Sequence, residues 1–317
     1  MLDPVEMITR ELGVEAQEAE RIIEKAVAGG EIEHSIEARD WVEQRLLPNL
    51  VHIDEAGYSR MCVDALKILG TTAATDYGGS RQRDLGQLWA DMTRGYLGEF
   101  AFAEFLRTKW GLETQLGHES GELKDYLPMD IHRVREPGEE YRTPKVSIGI
   151  KTTKWNGIWL DIPGDQFNHS DVHVLVKVGT GRDHLFAFFK AISVFKDKVL
   201  KRGQDVGSLS SAESDELFDR LPSFKKIPAY ICGFVLKSGQ YEVLDYGGRM
   251  GRKNYTITSW NGPIRPGDKE AVRVKERVTG KVSFEGIGDF AHENGYLFNT
   301  GKLLWKDEDW EKVKRRI

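Results

Sequence analysis

Apolar residues recur every three to four positions through the first 70 residues. Between residues 4 and 28, Ile8, Leu12, Val14, Ala19, Ile22, Ile23 and Val27 keep this spacing, with a break at Gly13 and a stop at Gly29-Gly30. The pattern predicts two short helices. It continues through 36–47, with Ile36, Trp41, Val42 and Leu46, and through 58–69. Residues 1–75 therefore read as an all-helical module for packing, dimerisation or regulation.

A Gly/Ser turn at Tyr77-Gly78-Gly79-Ser80 leads into the longest periodic stretch, 84–109, whose apolar face includes Leu88, Trp89, Leu97, Phe100, Phe102 and Leu106. Gly111 stands just past its end, where helices commonly stop. Beyond it the period falls from 3.6 to 2. Strands are predicted over 129–134, 145–152, 157–162, 171–178 and 185–192, the fourth alternating through Val172, Val174, Val176 and Val178. Glu136-Pro137-Gly138 reads as a hairpin-like link between the first two.

The Ser- and Gly-rich stretch 201–215 reads as a surface loop, and 230–236 as a further strand. From Tyr246 the chain is rich in Gly, Asn and aromatics and ends in a charged helix over 307–316. One long helix followed by several strands indicates an α+β or mixed α/β fold. The expected organisation is the helical module at 1–75, a core at 76–245 and a small β-rich module at 246–317.

Composition limits the function classes. The 317 residues are 40% hydrophobic, and no run of 18 apolar residues or charged-then-apolar leader is visible. The expectation is a chain with no membrane partner. Cys62 and Cys232 are far apart and belong to no CxxC pattern, so the expected compartment is the cytoplasm, with neither a disulfide framework nor a structural zinc site. The net charge of −5 is unevenly distributed: residues 1–70 hold fifteen acids and seven bases, and the remaining 247 residues carry +3. Any contact with a polyanion is thus expected after about residue 80, with the first 70 residues facing protein or solvent.

Three charges sit where apolar elements would not welcome them. Glu99 interrupts Gly95-Tyr96-Leu97-Gly98-Glu99-Phe100-Ala101 in the long helix. Asp130 starts a strand at Pro128-Met129-Asp130-Ile131, and Lys151 ends the run Val146-Ser147-Ile148-Gly149-Ile150-Lys151. A hairpin would bring Asp130 beside Lys151. Carboxylates on rigid elements suit a hard divalent cation, and a nearby ammonium suits a phosphate or an attacking water. A second candidate is the loop Gly247-Gly248-Arg249-Met250-Gly251-Arg252-Lys253-Asn254-Tyr255, with three bases and an aromatic for phosphate and sugar contacts. Lys154, Trp155 and Asn156 follow the lysine, and Arg81 and Arg83 precede the long helix. His132, His169 and His173 show no ligand spacing and read as structural.

This order, a helix bearing Gly-x-x-Gly-Glu, a Pro-x-Asp at a strand start and an apolar strand ending in Lys-Thr, resembles the PD-(D/E)XK nuclease superfamily over residues 84–192. The resemblance implies a restriction-endonuclease-like core, a mixed sheet flanked by helices, that hydrolyses phosphodiesters with Mg²⁺. It makes Asp130 the first acid, Lys151 the lysine and Glu99 an added helix ligand, so that Glu99 and Asp130 hold the metal. One position departs: two residues before the lysine, where the family has an acid, stands Gly149. Glu99 is the favoured substitute and Asp161 the second, and Asp125 is an alternative to Asp130.

The expected function is that of a type II restriction endonuclease, a site-specific deoxyribonuclease cutting double-stranded DNA. Lys154, Asn156, Arg249, Arg252, Lys253 and Tyr255 would contact that DNA. Cutting both strands calls for a symmetric homodimer. The alternatives are a structure-selective nuclease of repair or recombination, and a DNA-binding protein on a nuclease-like scaffold without catalysis.

Overall fold

Local signals set the N-terminal elements. Asp3 caps α1 (Pro4–Leu12) in a reciprocal capping box with Glu6, and Gly13 ends the helix in the left-handed region. Then follow α2 (Ala16–Ala28), a short α3 (Ala38–Trp41) that runs on helically to Asn49, β1 (Leu50–Ile53) and α4 (Glu55–Thr72). The computed structural model describes residues 3–72, 84–117, 130–181, 183–245, 255–265, 282–288 and 295–317.

The long helix α5 (Leu85–Trp110) starts where Asp84 accepts a hydrogen bond from the Gln87 amide at 2.9 Å, and it stops at Gly111. After it come β2 (Glu113–Leu116), β3 (Ile131–Arg135), β4 (Ile148–Thr153), β5 (Trp159–Pro163), α6 (Gly164–His169), β6 (Val172–Val178) and α7 (His184–Ala191). The chain continues with α8 (Lys201–Asp205), α9 (Ser211–Arg220), β7 (Ile227–Leu236), β8 (Leu244–Asp245), β9 (Tyr255–Ile257), β10 (Asn261–Arg265), β11 (Val282–Phe284) and β12 (Gly295–Asn299). It closes with a C-terminal helix, Asp307–Lys314.

The central sheet has the order β1-β7-β6-β4. β4 and β6 are parallel, while β7 runs antiparallel to β6 and β1. Every residue of β6 is buried, as a strand covered on both faces requires. One face, with Val172, Val174, Val176, Ile148 and Ile150, packs on Leu97, Ala101, Phe102 and Phe105 of α5 and on Trp310 of the C-terminal helix. The other, with Leu175, Tyr230 and Cys232, packs on α1 to α3 and on Phe298 of a second sheet, β5-β12-β10-β8. The result is a mixed α+β molecule whose sheet lies between two layers. No helix among the described residues is long and apolar enough to cross a membrane.

A buried ionic cluster ties the N-terminal helices to this sheet. Glu31 accepts from Lys177 of β6 and from the Tyr230 hydroxyl of β7, both at 2.8 Å, and from the Trp41 indole at 3.1 Å. Its other cation, Arg45, lies 3.9 Å away and donates to the carbonyls of Cys232 and Thr300. Burial alone would push the Glu31 carboxyl up, but Lys177 and Arg45 bring it down to about 2.

Several sequence expectations need correction. The N-terminal segment is not all-helical, because Leu50–Ile53 pairs with β7 at the edge of the central sheet. Four residues are too few to show a period of 2 beside helical neighbours. The predicted strand over 185–192 is α7, a short apolar run that periodicity alone cannot assign. The expected loop over 201–215 holds α8 and the start of α9, and Ser210 and Glu213 form the capping box that signals the latter. Finally, β3 pairs with β2 rather than with the lysine strand, meeting the returning chain only at a Val134–Arg142 bridge.

Candidate active site

The helix carrying Glu99 comes unusually close to the lysine strand. A Cβ on Gly98 would lie 1.9 Å from Thr152 Oγ1, and that hydroxyl donates to the Gly95 carbonyl at 3.0 Å. Glycine at 98 is what permits the approach. With α5 pressed on β4, Glu99 follows on the same turn of the helix.

Asp130 lies on the free edge of β4. Its amide donates to the Ile148 carbonyl at 3.1 Å, and its carboxylate accepts from the Ile150 amide. The acid is thus fixed at the edge by two backbone contacts, although β3 as a whole does not pair there. Burial pushes the Asp130 carboxyl well above the usual range, and the Glu99 charge adds to the rise. The Ile150 amide and Lys151 oppose it.

Lys151 alternates with Ile150 and points to the opposite face, where it donates to Gln166 of α6. Burial lowers its pKa, against the opposing charges of Asp130, Asp161 and Glu99. Three carboxylates therefore act on one ammonium. Asp161 lies on β5, which pairs with β12 in the second sheet rather than with β4. It reaches the lysine from that sheet.

The gap at Gly149 has a structural cause. A Cβ there would meet Ser170 Oγ at 2.8 Å and His173 Nδ1 at 3.3 Å. These two side chains fill the room an acid would need. His173 is 1% exposed, donates through Nε2 to the Phe167 carbonyl at 3.1 Å and stacks on the Phe167 ring. Burial drops its pKa to about 4, so it is neutral at pH 7, in keeping with a structural histidine. Nothing in its sequence neighbourhood signalled this packing.

The donor set suits a hard divalent ion. Glu99, Asp130 and Asp161 offer only carboxylate oxygens, and the Glu99 charge raises the cost of ionising Asp130, a cost that a bound cation would offset. Among the described residues, the group whose potential ligand atoms lie within 4.8 Å of one another is not the Glu99, Asp130 and Asp161 set but Glu33, His34 and Glu37. All three are exposed, and exposed acidic groups of this kind are common without an ion.

Lys154 and Asn156 line a cleft of about 660 Å³ between the β4–β5 connection and α2. Arg249, Arg252 and Lys253 lie outside the described residues, as do Arg81, Arg83 and Asp125, and Tyr255 is described only by its backbone, at the start of β9. Comparison with models of protein families, with curated proteins and with solved structures gave no match. The functional reading therefore rests on the site.

Proposed function

We propose that the chain is a Mg²⁺-dependent endonuclease of double-stranded DNA with the PD-(D/E)XK arrangement, most simply a site-specific type II restriction enzyme acting as a homodimer. The observation that carries this reading is Asp130 fixed at the free edge of β4 by the Ile150 amide, beside Lys151 of the same strand and within electrostatic reach of Glu99. The mixed sheet between helices supports it.

Asp130 and Glu99 would hold the metal, with Asp161 supplying the charge that Gly149 lacks. Mg²⁺, when bound, polarises the scissile phosphate and acidifies a water. Asp130, anchored by the Ile150 amide, is a rigid ligand, which saves reorganisation at the moment of reaction. Lys151 is oriented by Gln166 within reach of the charges of Asp130, Asp161 and Glu99. Its ammonium offsets charge on the phosphate and orients the attacking water.

Digestion of supercoiled plasmid in Mg²⁺ and in EDTA tests the proposal. Discrete linear fragments only with Mg²⁺ support a site-specific enzyme. Cleavage confined to branched or damaged duplexes supports the repair reading instead. Tight DNA binding with no cleavage in Mg²⁺ or Mn²⁺ would support a scaffold without catalysis, the reading that Gly149 favours.

A further inference from the structure

The cleft beside Lys154 has a wall that the charge distribution of the sequence argued against. Arg21 and Lys25 of α2, from the acidic N-terminal segment, face Lys154 and Asn156 across it. Between them lies Trp155, 8% exposed, whose indole N–H has no acceptor among the described residues. Its ring is held by stacking on Tyr230, with centroids 6.3 Å apart. A side chain at Gly179 would cover the indole nitrogen, since a Cβ there would lie 2.4 Å from it. Gly179 also lines the cleft, and its lack of a side chain lets the Trp155 ring pack at that wall with its indole nitrogen buried.

We infer that this cleft takes the phosphodiester backbone of the DNA strand next to the scissile phosphate, with α2 as one of its walls. The inference rests on the nuclease reading and adds the contact surface to it. The donors are three cations and the Asn156 amide, a set that matches phosphate oxygens. Glu18, 3.6 Å from Arg21, and Glu24 also line the cleft and leave it one positive charge in surplus. Lys154 follows Lys151 by three residues, roughly 10 Å along an extended chain. That is the distance from a scissile phosphate to a phosphate one or two nucleotides away.

The test is fluorescence anisotropy of a labelled duplex with Ca²⁺ in place of Mg²⁺, so that binding is read without cutting. Arg21→Glu with Lys25→Glu is expected to weaken binding at least ten-fold and to lower the slope of log affinity against log salt by about two. Glu18→Gln with Glu24→Gln is expected to tighten binding, a change of opposite sign that misfolding cannot imitate. Unchanged affinity in the α2 double reversal, with plasmid cleavage in Mg²⁺ intact, would overturn the cleft assignment and leave the nuclease reading standing. Absence of DNA binding by the wild type would overturn both.

Discussion

Replacing Glu31 by Gln tests how the N-terminal helices are held to the sheet. The carboxylate is fully buried and is the counter-ion of both Lys177, at 2.8 Å, and Arg45, at 3.9 Å. A neutral amide leaves two buried cations without it, a loss of about 3–5 kcal/mol. The depressed pKa gives a second figure. The carboxyl falls from 4.5 in the free acid to about 2 in the fold, and at about 1.4 kcal/mol per pH unit this is about 3 kcal/mol. The two agree. Because the folded pKa is depressed, the stabilisation is fully present above pH 4.5 and is lost as the pH falls through about 2. Urea unfolding of wild type and Glu31→Gln at pH 7 and at successively lower pH is therefore expected to show a gap of roughly 3 kcal/mol that closes in acid. The difference between the two proteins isolates this group from the other acids. A gap that stays constant with pH, or no gap at pH 7, would refute the reasoning.

Placing at Gly149 the acid that the PD-(D/E)XK pattern carries there should fail for steric reasons. Gly149→Asp is expected to cost about 1–3 kcal/mol in a denaturant titration, because the new side chain meets Ser170 and His173, and adding Ser170→Gly should recover part of it. Gly98→Ala is expected to cost a similar amount, since its methyl collides with Thr152. In that variant cleavage should fall further than stability explains, because Glu99 rides on the same turn. Metal affinity is expected to drop on acidification sooner than for an ordinary carboxylate site, because the Asp130 carboxyl takes up its proton above the usual range. Calorimetric titration with Mg²⁺ across pH reads this, and Asp130→Asn should flatten the dependence.

Where a strong local signal existed, the fold was legible. The long helix was bounded correctly because Asp84 and Gly111 mark its ends. β6 and β7 were visible as buried apolar runs. The misses share a physical cause: periodicity measures a local pattern, and β1 or α7 are too short to carry one. The pairing of β3 with β2 and of β5 with β12 is decided by distant partners that no local window contains.

The candidate site was legible in part for the same reason. Glu99, Asp130 and Lys151 stand out as charges in apolar surroundings, and the structure brings their charges together. Asp161 was visible only as an acid in a strand, and its approach to Lys151 depends on the second sheet. Net charge does not resolve single helix faces such as that of α2. A segment of −8 overall still turns Arg21 and Lys25 toward Lys154, since a sum over 70 residues says nothing about one helix face.

The most direct test of the central claim is the rate of Mg²⁺-dependent plasmid nicking by Lys151→Ala against wild type, with both shown to be folded and equally able to bind DNA. Removing the ammonium that offsets phosphate charge is expected to slow nicking by roughly a hundred-fold or more. Nicking by Lys151→Ala at the wild-type rate would contradict the assignment of the site at the edge of β4.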